Sequence, residues 1–109
     1  AAGWADLLSR MDKPEVQKFF GSYTKETGEK LPGTGALLGH SAAITMVRAL
    51  EAAGPELNAK SFQMGMESLS YEDVISGNTV TYSATDHQGA DDVVVSVIKD
   101  GNWTELGRQ

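Results

Sequence analysis

The segment from Ala36 to Ala53 constrains the fold more than any other part of the chain. It reads as one long helix, stopped by Gly54-Pro55, because glycine accepts the turn past a helix end and proline cannot continue the helix. Its polar positions are His40, Ser41, Thr45, Arg48 and Glu51. A helix apolar on nearly every side demands partners on more than one side. The chain has 109 residues, enough for one modest core that hides about two-thirds of the unfolded surface. The helix therefore asks for more cover than a chain of this length holds.

The flanking segments carry clear signals. A first helix over 13–28 is expected, with Asp12 as N-cap, Pro14 in the first turn and Glu15 completing an Asp-x-x-Glu capping box. Val16, Phe19, Phe20 and Tyr23 then fall at i, i+3, i+4 and i+7, one apolar stripe, and Gly28 is the stop. Glu29 to Gly35 reads as a loop, punctuated by Pro32, Gly33 and Gly35. A third helix over 58–70 has Asn58 as N-cap and Phe62, Met66 and Leu69 as its stripe.

The texture then changes. Over 79–84, Val80 and Tyr82 alternate with Thr79, Thr81 and Ser83, a half-buried strand. Thr85 to Asp92 is a polar loop. The strand expected over 92–98 contains Val93-Val94-Val95-Ser96-Val97-Ile98, apolar enough to be covered on both faces. Asp100-Gly101 signals a tight hairpin, and Trp103 opens a return strand over 102–106. Three helices followed by three strands suggest, taken alone, an α+β arrangement.

Charge removes several functions. With 9 basic and 15 acidic side chains, a net charge of −6 and no basic stripe, nucleic acid is not a fitting partner, since its binding depends on Lys and Arg at phosphates. An anionic membrane surface is disfavoured for the same reason. The longest apolar stretch, Ala42 to Leu50, is broken by Thr45 and Arg48 and is too short to span a bilayer. The chain contains no cysteine, so disulfides and thiolate metal sites are absent. It opens Ala1-Ala2-Gly3-Trp4, without Met or a basic leader, as an exported chain does after cleavage or as a piece of a longer chain does.

Several groupings suggest chemistry and fail on spacing. Gly33-Thr34-Gly35 to Gly39 is one residue too long for a dinucleotide fingerprint and follows no strand. Read as a Walker A loop, it has Thr34 where the first glycine belongs and His40 in place of the lysine. Asp86-His87 with Asp91 and Asp92 lacks the alternation and terminal Glu of a calcium loop, and too few histidines exist for zinc. A triad of a serine with His87 and Asp86 fails because adjacent loop residues do not orient one another. Trp4, Trp103, Phe19, Phe20 and Tyr23 could form an aromatic ligand box, with core packing as the default. His40, in the first turn of the long helix, is either a backbone-bonded buried histidine or a polar contact at a cleft edge.

The ordered series of segments resembles the C-terminal stretch of periplasmic ligand-binding proteins of the branched-chain amino acid type, the type I solute-binding proteins of ABC transporters. Pro14-Glu15-Val16 to Phe19-Phe20 to Tyr23 resembles the family's P-x-V-x-x-F-x-x-x-Y helix. Gly39-His40-Ser41-Ala42-Ala43 to Ala49-Leu50-Glu51-Ala52-Ala53-Gly54 is similar to its Tyr-Asp-Ala-like start and Ala-Leu-x-x-Ala-Gly end, with His40 where the family usually has Tyr. Phe62 to Leu69 matches the short helix that follows. Ile75-Ser76-Gly77 into Val80-Thr81-Tyr82, Asp86-His87-Gln88-Gly89, and Val93 to Val97 with Lys99-Asp100-Gly101 resemble the closing strands and their K-D-G turn. The likeness covers residues 12 to 106.

That resemblance implies an α/β fold, here a partial lobe of a two-lobed protein. Residues 1–84 would belong to the first lobe, and 85–109 would carry the last hinge crossing and closing strands. It implies solute binding for ABC-type uptake in the periplasm, with a small molecule closed between the lobes, no cofactor and no catalysis. The expected ligand contacts in this segment are Gly35, Ala36, Leu37 and His40. The expected partners are the small-molecule ligand, a membrane permease and the remainder of the parent chain. Two other readings compete: a stand-alone module that self-associates through its apolar helix, and a small enzyme using His87. The partial-lobe reading requires an exposed apolar patch along Leu37, Ile44, Val47 and Leu50.

Overall fold

The computed structural model describes residues 10–109; Trp4 lies outside the described residues. Three helices precede two small antiparallel sheets, a mixed α/β arrangement.

Helix α1 spans Pro14–Thr27. Asp12 does not cap it, and the expected capping box does not form. The N-cap is Lys13, extended at φ −79° and ψ 129°, without a side-chain cap bond. Pro14 is the reason: a proline forces the residue before it out of the helical region, so the boundary falls on Lys13. At the other end Gly28 takes the left-handed conformation at φ 77°, and its N–H donates to the Thr24 carbonyl at 2.9 Å.

Helix α2, Thr34–Ala53, starts two residues before the expected Ala36. Gly33 is the extended N-cap, and its carbonyl accepts the Ala36 N–H at 2.9 Å. Of the 20 residues in α2, Ala49 is the one that is buried. Leu37 and Ile44 are half-buried. Leu38, Met46 and Val47 are each about half exposed, at 49%, 50% and 47%, and Leu50 is also exposed. Of the four positions expected to form an exposed patch, Val47 and Leu50 are exposed, whereas Leu37, which packs against the main cluster, and Ile44 are not.

Helix α3, Ala59–Glu67, begins with a reciprocal capping box. Asn58 Oδ1 accepts the Ser61 N–H at 3.0 Å, and the Asn58 N–H donates to Ser61 Oγ at 2.9 Å. The replacement Asn58→Ala is expected to cost about 1 kcal/mol, or roughly 4–8 °C of Tm. A thermal melt that does not move would refute the cap's importance.

The third helix was expected to run to residue 70, but it ends at Glu67, and Ser70–Asp73 forms strand β1. Its partner is β2, Asn78–Thr81, with Ser70 opposite Thr81 and Asp73 opposite Asn78. Ser70-Tyr71-Glu72-Asp73 has no strand pattern of its own; pairing with β2 makes it a strand. Strand β2 is shorter than the expected 79–84, and Asn78 and Val80 are its half-buried positions.

Strands β3, Val94–Lys99, and β4, Asn102–Arg108, form the second hairpin. Both begin or end slightly later than expected. Asp100 and Gly101 turn between them at φ 52° and 78°, as a two-residue primed turn requires. A bulge falls where Val95 faces Gly107 and Ser96 faces Glu105, leaving Leu106 without an opposite residue. Strand β3 is covered well on one face only: Val94 and Ser96 are buried, Val95 and Val97 half-buried, and Ile98 exposed.

The main cluster joins Val16 and Phe19 of α1 to Ile75, with Phe20, Ala36, Leu37 and Val74 packed against it. Arg10 donates from Nε to the Val74 carbonyl at 3.0 Å and from Nη2 to the Ile75 carbonyl at 2.8 Å. Arg108 donates to the carbonyl of Gly77 in the same turn. The chain exposes 7283 Å², against roughly 5,800 Å² for a well-packed monomer of its mass. Cover is short, on α2 and also at Leu31, Met64, Ile98 and Leu106.

Candidate functional site

Helical spacing sets Leu37, Ser41 and Thr45 at successive four-residue steps along one face of α2. Across from them stand the β1–β2 hairpin and the start of β3. Between these elements lies an open groove of about 490 Å³. Leu37, Ile75, Val80 and Val94 supply apolar wall, and Ser41 and Asp73 are polar residues of the same lining.

Asp73 ends β1 and is 6% exposed. Its Oδ1 accepts the Ile75 N–H at 3.0 Å, closing an Asx turn, and its own carbonyl accepts the Gly77 N–H at 2.7 Å. The ion pairs among the described residues join Lys13 to Asp12, His87 to Glu67 and Arg108 to Glu105; none reaches Asp73. Ser41 Oγ is buried and has no hydrogen-bond partner. One turn on, Thr45 Oγ1 donates to the Ser41 carbonyl at 2.9 Å and lies 2.7 Å from the Tyr71 hydroxyl. The Arg48 guanidinium sits over the Tyr71 ring at 4.2 Å, a cation–π contact that ties α2 to β1.

Of the expected contacts, Leu37 lines the groove. Ala36 and Leu37 both pack against the main cluster, and Gly35 is exposed. The His40 ring is half-buried and tilts against Phe19 with centroids 4.6 Å apart, away from the groove lining. Phe19 also meets Phe20 and Tyr23 at 6.3 and 6.2 Å. Phe19 is core and Phe20 packs against it, the Tyr23 hydroxyl reaches Glu29 at the surface, and Trp103 stands on β4 and is 45% exposed. Sequence reasoning missed Ser41, Thr45 and Asp73. The four-residue spacing of the first two was visible, but it points nowhere until β1 and β2 are placed opposite.

A second hollow of about 300 Å³ lies among Phe62, Met66, Tyr82, Glu67 and His87. His87 Nε2 stands 3.2 Å from Glu67 Oε1. The Gln63 side chain donates to the same oxygen at 2.7 Å. That bond first, and the His87 contact with it, hold the Glu67 carboxyl below its ordinary range. His87 is thus the surface partner of a carboxylate. Among the described residues, no group of three or more His, Asp or Glu is placed to hold a metal ion, and no helix is long and apolar enough to cross a membrane.

A family model described as a periplasmic binding protein matches residues 2–102. No curated protein and no solved structure matches the chain.

Proposed function

The chain belongs to the periplasmic binding protein family, and from that premise we propose that it is the closing part of a two-lobed solute-binding protein. In this reading residues 1–84 complete the first lobe and 85–109 carry the last hinge crossing. The whole protein closes on a small organic solute such as a branched-chain or other amino acid, an amide or a small aromatic acid. It does no chemistry on the solute and hands it to an ABC-type permease outside the cytoplasm. The α2 start, with Gly35, Ala36, Leu37 and His40, lies at the cleft edge.

The exposure of α2 carries the reading. A helix of 20 residues with one of them buried is half of an interface. Contiguous exposed apolar surface of this kind marks a docking face, and the rest of a lobe is what would cover it. Sedimentation velocity of the chain at rising concentration tests this. Open-ended association that grows with concentration is expected. A discrete closed dimer would favour a stand-alone module instead, and a monomer with one sharp unfolding transition would overturn the partial-lobe reading.

A further inference from the structure

We propose that the groove between α2 and the β1–β2 hairpin binds the cationic head of a small organic amine, with Asp73 as its counter-ion. The inference rests on the solute-binding reading and names the chemical class of the solute. Three observations support it.

The first is the state of Asp73. A carboxylate this buried is costly unless it is paired and hydrogen-bonded. Asp73 has the Ile75 N–H on Oδ1 and, among the described residues, no ion-pair partner. A carboxylate offers several acceptor positions on two oxygens, so capacity remains for a donor arriving through the groove. The second is Ser41, whose buried hydroxyl has no partner in the same lining. A buried orphan hydroxyl is uncommon and calls for a missing donor or acceptor. An ammonium N–H supplies that donor.

The third is the sign of the lining. Asp73 and Asp92 both border the groove, and among the described residues no Lys, Arg or His does. Arg48, the nearest cation on α2, is held over the Tyr71 ring. The Arg10 and Arg108 guanidinium groups lie on the carbonyls of the adjoining turn, outside the lining, so the charge that a solute meets in the groove itself is negative. An alkylammonium would place its charge at Asp73, give one N–H to Ser41 Oγ, and lay its chain against Leu37, Ile75 and Val80. The volume of about 490 Å³ falls within the range of small-molecule clefts. The net charge of −6 favours the approach of cations.

The test is a titration of the 109-residue chain with n-butylammonium, n-butyramide and n-butyrate, followed by amide NMR shifts. Butylammonium is expected to move the amides of Ser41, Asp73 and Ile75, and butyrate to leave them unmoved. The substitution Asp73→Asn keeps an acceptor for the Ile75 N–H and removes the charge. It should weaken amine binding at least about tenfold, the scale of one hydrogen bond to a charged group. Should that variant not fold, Ser41→Ala asks the same question and should weaken binding by roughly threefold to tenfold. Amine affinity unchanged in the folded variant tested would overturn the proposal. Butyrate or butyramide binding as tightly at the same amides would end the amine assignment and leave solute binding standing. A folded chain that responds to none of the three probes would count against both.

Discussion

Replacing Phe19 with alanine is expected to cost about 3–5 kcal/mol. Few of the described residues are fully enclosed, and Phe19 is the largest member of the main buried cluster. Its ring touches Phe20, Tyr23 and His40, joining the middle of α1 to the first turns of α2. Truncation removes the apolar transfer energy and leaves a cavity that Val16 and Ile75 are too short to fill. Domains of this size hold only about 5–15 kcal/mol in total. The variant should therefore melt at least about 12 °C lower by circular dichroism. The milder Phe19→Leu should lose about 1 kcal/mol, because most of the volume is kept. A Phe19→Ala chain that melts within a few degrees of the parent would show that α1 contributes little to the fold.

The second large effect is expected at Gly65. This glycine is buried where α3 crosses α2. A Cβ built there would lie 2.5 Å from the Ala49 carbonyl oxygen, 2.9 Å from the Ala53 nitrogen and 3.3 Å from the Ala53 Cα. All three are backbone atoms, so no side chain can swing aside and the helices must part. The variant Gly65→Ala gains about 1 kcal/mol of helix propensity but should still be destabilised by about 1–2 kcal/mol, since overpacking costs more than that gain. Gly65→Val adds two methyl groups at the same point and should exceed about 3 kcal/mol. Urea unfolding reads both. Gly39→Ala is the control: nothing lies within 4 Å of its added Cβ, and it should stabilise by about 0.5–1 kcal/mol. If Gly65→Val unfolds at the same urea concentration as Gly39→Ala, close helix contact is not what holds α3 in place.

These two positions show what the sequence exposes and what it hides. Phe19 sits on a helical stripe with Val16 and Phe20, and periodicity alone makes it core. Gly65 has no such mark. Its neighbours Ala49 and Ala53 lie on another helix, and only packing reveals that a side chain cannot fit. The helix ends follow the same division. Gly28 and Gly54 were legible because their conformation is a local property. The start of α1 was not, because Asp12 and Pro14 compete for the boundary and the proline's steric demand wins. Strand β1 was missed because its residues become a strand through β2. The groove was hidden for that reason too: it exists between α2 and that hairpin, so Asp73 reads from sequence as one more acidic residue. The exposed face of α2 was legible from its apolar composition alone.

The turn from Val74 to Gly77 receives Arg10 on two of its carbonyls and Arg108 on a third. One short turn thus gathers side chains from both ends of the described residues. Contacts between positions so far apart in sequence close large loops, so the turn from Val74 to Gly77 is expected to be among the last parts of the chain to lock in folding.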